Sequence, residues 1–193
     1  VAASRIAWGK FINAGQTCVA PDYALVHEAV KKPVLDKLAE VIREFYGDDP
    51  SQSPDFCRIA SERHTARFAQ LLEGQKIHTG GRVDVANRYV EPTIVLDPPP
   101  DSALMQEEIF GPVLPVIAVD SLQAAIDFVA RRSAAGDKPL ALYSFSEQNA
   151  ENDQVIADTT SGGACINGTL LHISNPNLPF GGVGESGMGA YHG

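Results

Sequence analysis

At 193 residues the chain is long enough to bury one sizeable core and too short for two domains of ordinary size. Hydrophobic residues make up 44% and charged residues 20%, the balance of a globular protein; no run is apolar for long enough to span a bilayer, and no signal peptide opens the sequence. A net charge of -9 without a cluster of lysines or arginines excludes the attraction that nucleic acid or anionic lipid would need.

Val1 is not a methionine and the first residues already read as helix, so the expectation is a piece of a longer chain. Next, "DYALVHEAV" reads as a strand, followed by an amphipathic helix in "KKPVLDKLAEVIREFYG". There Pro33 suits the first turn, Val34, Leu35, Leu38, Val41, Ile42 and Phe45 recur at helical spacing, and Gly47 suits the end. A second helix is expected over Ser61 to Glu73, closed by Gly74, and "KIHTGG" as a strand after it. "RYVEPTIVLD" has strand residues interrupted by Pro92, which places it at an edge or a bend. "VLPVIAVD" is an almost unbroken apolar run, the pattern of a strand covered on both faces of a parallel sheet. Ser121 caps a helix with the stripe Leu122, Ala125, Ile126 and Val129. "PLALYSFS" reads as another buried strand, Ser146 as another helix cap, and "GGACING" as a last short strand. Strands alternating with helices predict one α/β domain over 1–193, layered, with a mainly parallel sheet flanked by helices.

Chemistry-bearing residues are few. Cys18, Cys57 and Cys165 are odd in number and lack metal-type spacing, so free thiols in a cytoplasmic protein are expected, with neither disulfides nor zinc. Cys18 lies in "FINAGQTCVAPDY", where a helix gives way to small and polar residues before a strand. A thiol presented at such a junction can act as a nucleophile, while a small buried hydrophobe is the commoner fate of a free cysteine; spacing alone leaves both open. Cys165, between Ala164 and Ile166, reads as core, and Cys57 as incidental. "MQEEIFGPVLPV" sets Glu107 and Glu108 at the mouth of a buried strand, where a glutamate can accept hydrogen bonds from a ribose diol or form a plain solvated turn. His27, His64, His78, His172 and His192 show no metal spacing. Gly182 to Gly187 spells G-x-G-x-x-G, yet only "MGAYHG" follows, with no room for the helix and acidic strand end that a dinucleotide loop requires.

Taken together, "NAGQTC", "EEIFGPV" and "LPFGGVGESGMGAYHG" resemble the catalytic domain of the aldehyde dehydrogenase superfamily over essentially the whole chain, and "GQTCVAPDY" with "GMGAYHG" resembles its class 3-like branch of fatty, aromatic and coniferyl-type aldehyde dehydrogenases. The resemblance implies that Cys18 attacks the aldehyde to give a thiohemiacetal, that hydride passes to NAD or NADP, and that water hydrolyses the resulting thioester. It implies an oxyanion contact from the Cys18 backbone N–H, Glu108 on the nicotinamide ribose, Phe110 beside the ring, and Thr17 and Phe180 lining the aldehyde path.

The family's Glu-Leu-Gly-Gly base, its oxyanion asparagine and its nucleotide-binding domain precede the cysteine by more residues than stand before Cys18. Asn13 is not that asparagine. The expectation is therefore a truncated catalytic domain, a poor dehydrogenase alone, whose parent is a homodimer acting on a small-molecule aldehyde. An acylating, coenzyme A-dependent relative and a non-catalytic scaffold with the same fold are the alternatives.

Overall fold

Helix starts at the second residue of the chain, and a computed structural model describes residues 1–191, so His192 and the last two positions of the terminal motif fall outside the described residues. The described chain forms two compact units, Ala3–Ala118 and Val119 onward.

In the first unit, α1 (Ala2–Phe11) places Ala3, Ala7, Lys10 and Phe11 on one buried stripe. After a loop, β1 (Ala24–His27) runs directly into α2 (Glu28–Tyr46). Helix therefore begins at Glu28, inside the segment expected to be strand, and Pro33 sits in its second turn instead of its first. The physical reason is the cap: the His27 imidazole Nδ1 accepts the Ala29 N–H at 3.2 Å, so the strand ends where the helix is nucleated. Leu35, Leu38, Val41 and Ile42 are buried as the stripe requires, whereas Phe45 stays exposed and meets Tyr46 edge-on at 6.0 Å. Gly47 ends the helix with φ +80.

The Ser61 hydroxyl accepts the His64 N–H at 3.2 Å and caps α3 (Glu62–Leu72), which buries Thr65, Phe68, Leu71 and Leu72. β2 (Ile77–Thr79), β3 (Val83–Asp84), β4 (Tyr89–Val90), β5 (Thr93–Leu96), the short α4 (Ala103–Gln106) and β6 (Val113–Val119) complete this part. Pro92 separates two strands of different sheets: β4 pairs with β3 in a small hairpin, and β5 lies inside the sheet ordered β1-β6-β5-β2. β5 and β6 are parallel, Thr93 opposite Val113 through Leu96 opposite Val116, while β2 runs antiparallel to β5.

Val113, Leu114 and Val116 are fully buried, as the unbroken apolar run predicts. Pro115 is tolerated there because the Pro112 and Val116 carbonyls bond to Thr93 and Asp97. Alternation then turns Pro115 toward β1, the outer strand, where its missing N–H costs one bond at a sheet edge. The core around this sheet includes Phe11, Leu38, Val41, Phe68, Ile94 and Leu114. Each such side chain stabilises the fold by about 1.5–3 kcal/mol.

The second unit holds α5 (Leu122–Ala134), capped by Ser121, then β7 (Ala141–Ser144), α6 (Asn149–Asp158) and β8 (Gly163–Ile166). β7 and β8 are parallel, as β5 and β6 are, and the fold is α/β, a mainly parallel sheet flanked by helices. Two expectations are corrected here. β7 is not a fully buried strand, since only Ser144 is buried in a ladder of two strands. The residue at the α6 N-cap is Gln148; Ser146 lies two residues earlier, where its hydroxyl accepts the Gln148 N–H at 3.0 Å. Buried Asn152 fastens the helix by accepting from the Ser144 hydroxyl at 2.7 Å and donating to the Ser146 carbonyl at 3.1 Å.

The glycine-rich tail is no dinucleotide loop. Phe180 and Tyr191 exchange backbone hydrogen bonds of 2.6 Å, which closes the segment on itself, and Gly184–Ser186 makes only a three-residue 3-10 turn. A Cβ on Gly181 would lie 2.1 Å from the Gly189 carbonyl oxygen, so glycine is what lets the two limbs touch.

Candidate active site

The thiol of Cys18 is carried by a turn that begins in strained backbone. Immediately after α1, Asn13, Ala14 and Gly15 have φ of +52, +51 and +71, three left-handed residues in succession. Left-handed backbone costs an alanine about 1–2 kcal/mol, so something must hold it. Asn13 Nδ2 donates to the Gln16 carbonyl at 3.0 Å, and Gln16 Nε2 donates to the carbonyls of Asn13 and Arg58, each at 3.1 Å. Gln16 Oε1 accepts the Ala60 N–H at 2.8 Å.

A tight turn follows, with the Ala20 N–H on the Thr17 carbonyl at 2.9 Å and Val19 buried beneath it. Cys18 is exposed, which removes the core-filler alternative, and Thr17 is half-buried beside it. Cys57 is exposed as well. Cys165, expected in the core, is half-buried with its Sγ 3.3 Å from His172 Nδ1.

The acidic turn from Glu107 to Pro112 is clamped from α3. Arg67 Nε and Nη2 donate to Glu107 Oε2 at 3.0 and 2.9 Å, Nη2 also reaches the Glu108 carbonyl at 2.7 Å, and Nη1 the Ile109 carbonyl at 2.9 Å. One helical turn earlier, His64 Nε2 lies 3.1 Å from the Phe110 carbonyl oxygen. Asp22 Oδ1 accepts the Ile109 N–H at 3.1 Å. Phe110 has φ +46, an outlier for a large side chain, and its ring is exposed.

Glu107 is thus the clamped member of the pair. Glu108 points its carboxylate outward without a hydrogen bond among the described residues. Desolvation by the surrounding protein, and then the charge of Asp22, hold its pKa above the usual carboxylate range, while Arg67 and Lys10 pull it down. An ionised glutamate with both oxygens open is a fitting acceptor for the two hydroxyls of a ribose.

The two turns meet through glycine. A Cβ on Gly15 would lie 2.3 Å from the Gly111 carbonyl oxygen, and one on Gly111 would lie 2.0 Å from Phe68 Cζ. Thr17, Cys18, Glu108 and Phe110 therefore sit on two abutting loops of the first unit. Half-buried Phe180 belongs to the second.

Sequence reasoning passed over the residues that fix these loops, namely Gln16, Asp22, His64 and Arg67, because each acts across 40 or more positions of chain. It also passed over Lys10, although a lysine on the Ala3, Ala7, Phe11 stripe of α1 was a visible signal. Among the described residues no group of three metal-ligating side chains forms, and no helix is long and apolar enough to cross a membrane.

An exposed thiol on a strained turn thus abuts a clamped acidic turn at the mouth of a parallel strand pair. The chain belongs to the aldehyde dehydrogenase family, whose model matches residues 1–193. It is 51% identical over all 193 residues to the dimeric NADP-preferring aldehyde dehydrogenase of Rattus norvegicus, covering 42% of that protein. It is 51% identical over 195 aligned residues to the 4,4'-diaponeurosporen-aldehyde dehydrogenase of Staphylococcus aureus, again 42% of its length. Staphylococcus aureus AldH, solved in its substrate-bound state, superposes with a TM-score of 0.93 at 50% identity, over 100% of this chain and 42% of that one. The chain thus spans about two-fifths of the length of these relatives.

Proposed function

We propose that this chain carries the nucleophile of an NAD- or NADP-dependent enzyme that oxidises an aldehyde to a carboxylic acid. The observation that carries the reading is the exposed Cys18 on a left-handed turn pinned against the Glu107–Pro112 turn. The printed name of the rat relative, with its NADP preference, supports the cofactor class.

In this reaction the Cys18 thiolate attacks the carbonyl carbon, a C–S bond forms, and the carbonyl π electrons move to oxygen. The Cys18 backbone N–H takes no part in the bonds that build the turn and can donate to that oxygen. Glu108 would accept hydrogen bonds from the ribose hydroxyls of a bound dinucleotide, and the exposed Phe110 ring would pack beside its nicotinamide. The bound dinucleotide supplies the two-electron acceptor. Water then cleaves the S-acyl bond, releasing the acid and restoring the thiol. Thr17, half-buried beside Cys18, lines the path of the aldehyde. The name of the rat relative also supports a homodimeric parent, and three free thiols suit a cytoplasmic location.

An activated aryl ester tests the nucleophile without a nucleotide. After incubation with the chain, intact mass and peptide mapping should find the acyl group on Cys18 and not on Cys57, which is also exposed and controls for exposure alone. Equal labelling of both cysteines, or labelling that survives Cys18→Ser, would overturn the reading.

A further inference from the structure

The second unit carries a thiol that the reaction above leaves unused. Cys165 lies on β8 directly opposite Tyr143 of β7, so the two side chains share one face of the ladder, and alternation puts Gly163 on that face too. His172 is folded back onto the same face by the 3-10 turn Leu171–Ser174. Leu170, just before it, has φ +62, a left-handed conformation that a leucine rarely adopts. The Leu171 N–H on the Thr169 carbonyl at 2.7 Å and the Ile173 N–H on the Leu170 carbonyl at 3.1 Å close this turn.

The imidazole is seated on three sides. Its Nδ1 lies 3.3 Å from Cys165 Sγ, its ring centroid 5.9 Å from that of Tyr143, and a Cβ on Gly163 would stand 2.8 Å from its Cδ2, so glycine leaves the room that the ring fills. Its Nε2 is buried without a hydrogen-bond partner among the described residues. An apolar ring of the same shape would fill the seat without burying an unpaired nitrogen, so packing alone does not account for a histidine here. Cys165 keeps part of its surface open to solvent, and Leu171 and Ile173 flank the histidine in sequence as exposed apolar side chains.

We propose that Cys165 and His172 form a second nucleophilic pair, separate from Cys18, that takes up α,β-unsaturated carbonyl compounds as covalent adducts. Polarisable sulfur suits the soft β-carbon of an enone, and the apolar flanks suit an uncharged one. The thiol proton passes to His172 Nδ1, and a sulfur electron pair forms the C–S bond at the β-carbon. The carbon–carbon π pair moves toward the carbonyl as an enolate, whose α-carbon takes the proton back from Nδ1. The addition is complete without an oxidant or a leaving group. Burial holds the His172 pKa below its ordinary value, so Nδ1 is free to accept the proton at neutral pH. Cys165 from β8 and Tyr143 from β7 are the titratable side chains set against the ring.

The test is alkylation of the wild-type chain by limiting methyl vinyl ketone, an enone with no aldehyde to oxidise, with each cysteine quantified by peptide mapping. At neutral pH Cys165 should react roughly tenfold faster than Cys57, although Cys57 is the more exposed. The Cys57 rate should climb steeply toward the free-thiol pKa of about 8.5, whereas the Cys165 rate should stay nearly level down to about pH 6.5. His172→Gln should bring Cys165 to the steep profile of Cys57. A wild-type Cys165 that reacts no faster than Cys57 at neutral pH overturns the proposal whether or not the variant folds. A level profile that survives in folded His172→Gln does so too. A half-buried sulfur admits a slim vinyl carbon sooner than an aryl ester, and mapping reads each cysteine separately, so failure here is distinct from failure of Cys18 to acylate.

Discussion

Replacing Gly15 by alanine tests whether the thiol's turn is truly pressed against the acidic turn. At φ +71 the new side chain meets left-handed backbone strain, and its Cβ falls 2.3 Å from the carbonyl oxygen and 2.5 Å from the carbonyl carbon of Gly111. Strain costs about 1–2 kcal/mol. Both colliding partners are backbone, so the collision adds the cost of overpacking, about 1–3 kcal/mol, giving a total of about 2–5. Gly74 supplies the control, because it has the same φ of +71 and nothing within 4 Å of its Cβ. Gly74→Ala should lose only the strain cost of about 1–2 kcal/mol. Urea unfolding of the two variants, at unchanged slope, should show Gly15→Ala the less stable by about 1–3 kcal/mol. Alkylation of Cys18 should change rate in Gly15→Ala and not in Gly74→Ala. Equal midpoint shifts in the two variants would refute the close approach of the loops, and with it the assembly of the site as described.

Two further consequences follow from the clamps. Arg67→Lys keeps the charge and loses the fork that reaches Glu107 and the carbonyls of Glu108 and Ile109 at once, so stability should fall by about 1–2 kcal/mol. Hydrogen exchange at the Phe110 and Gly111 amides should accelerate at least tenfold; unchanged exchange would show that the arginine does not hold the turn. At the end of β5, burial alone would raise the Asp97 pKa, but the Lys31 ammonium at 2.5 Å and the Ala118 N–H at 2.8 Å prevail and lower it. A carboxyl depressed in the folded state stabilises above its unfolded value, about 3.9, and loses that contribution as pH falls through the folded one. Wild type should therefore melt above Asp97→Asn at neutral pH, with the gap closing below pH 4 or so; a gap constant into strong acid would contradict the sign.

Much of the architecture can be read along the chain because it depends on near neighbours. The Ser61 cap, the Leu35 to Ile42 stripe of α2 and the apolar run of β6 each express a local periodicity, and the structure reproduces them. The α2 start was misplaced by a capping histidine, a role that sequence rules give to shorter polar residues. The expected burial of β7 erred because the pattern of a strand says nothing about how many strands will flank it.

Local sequence by itself determined which side chains can do chemistry, Cys18 and the Glu107–Glu108 pair above all. It could not distinguish Glu107 from Glu108, an exposed thiol from a core one, or a surface lysine from a buried one. Only the tertiary structure decided these, because the deciding contacts join elements that lie far apart in sequence: Arg67 on Glu107, Gly15 against Gly111, and the packing that buries Lys10 of α1. Such contacts acquire their energies when folding excludes water between them, and no window of neighbouring residues contains both partners.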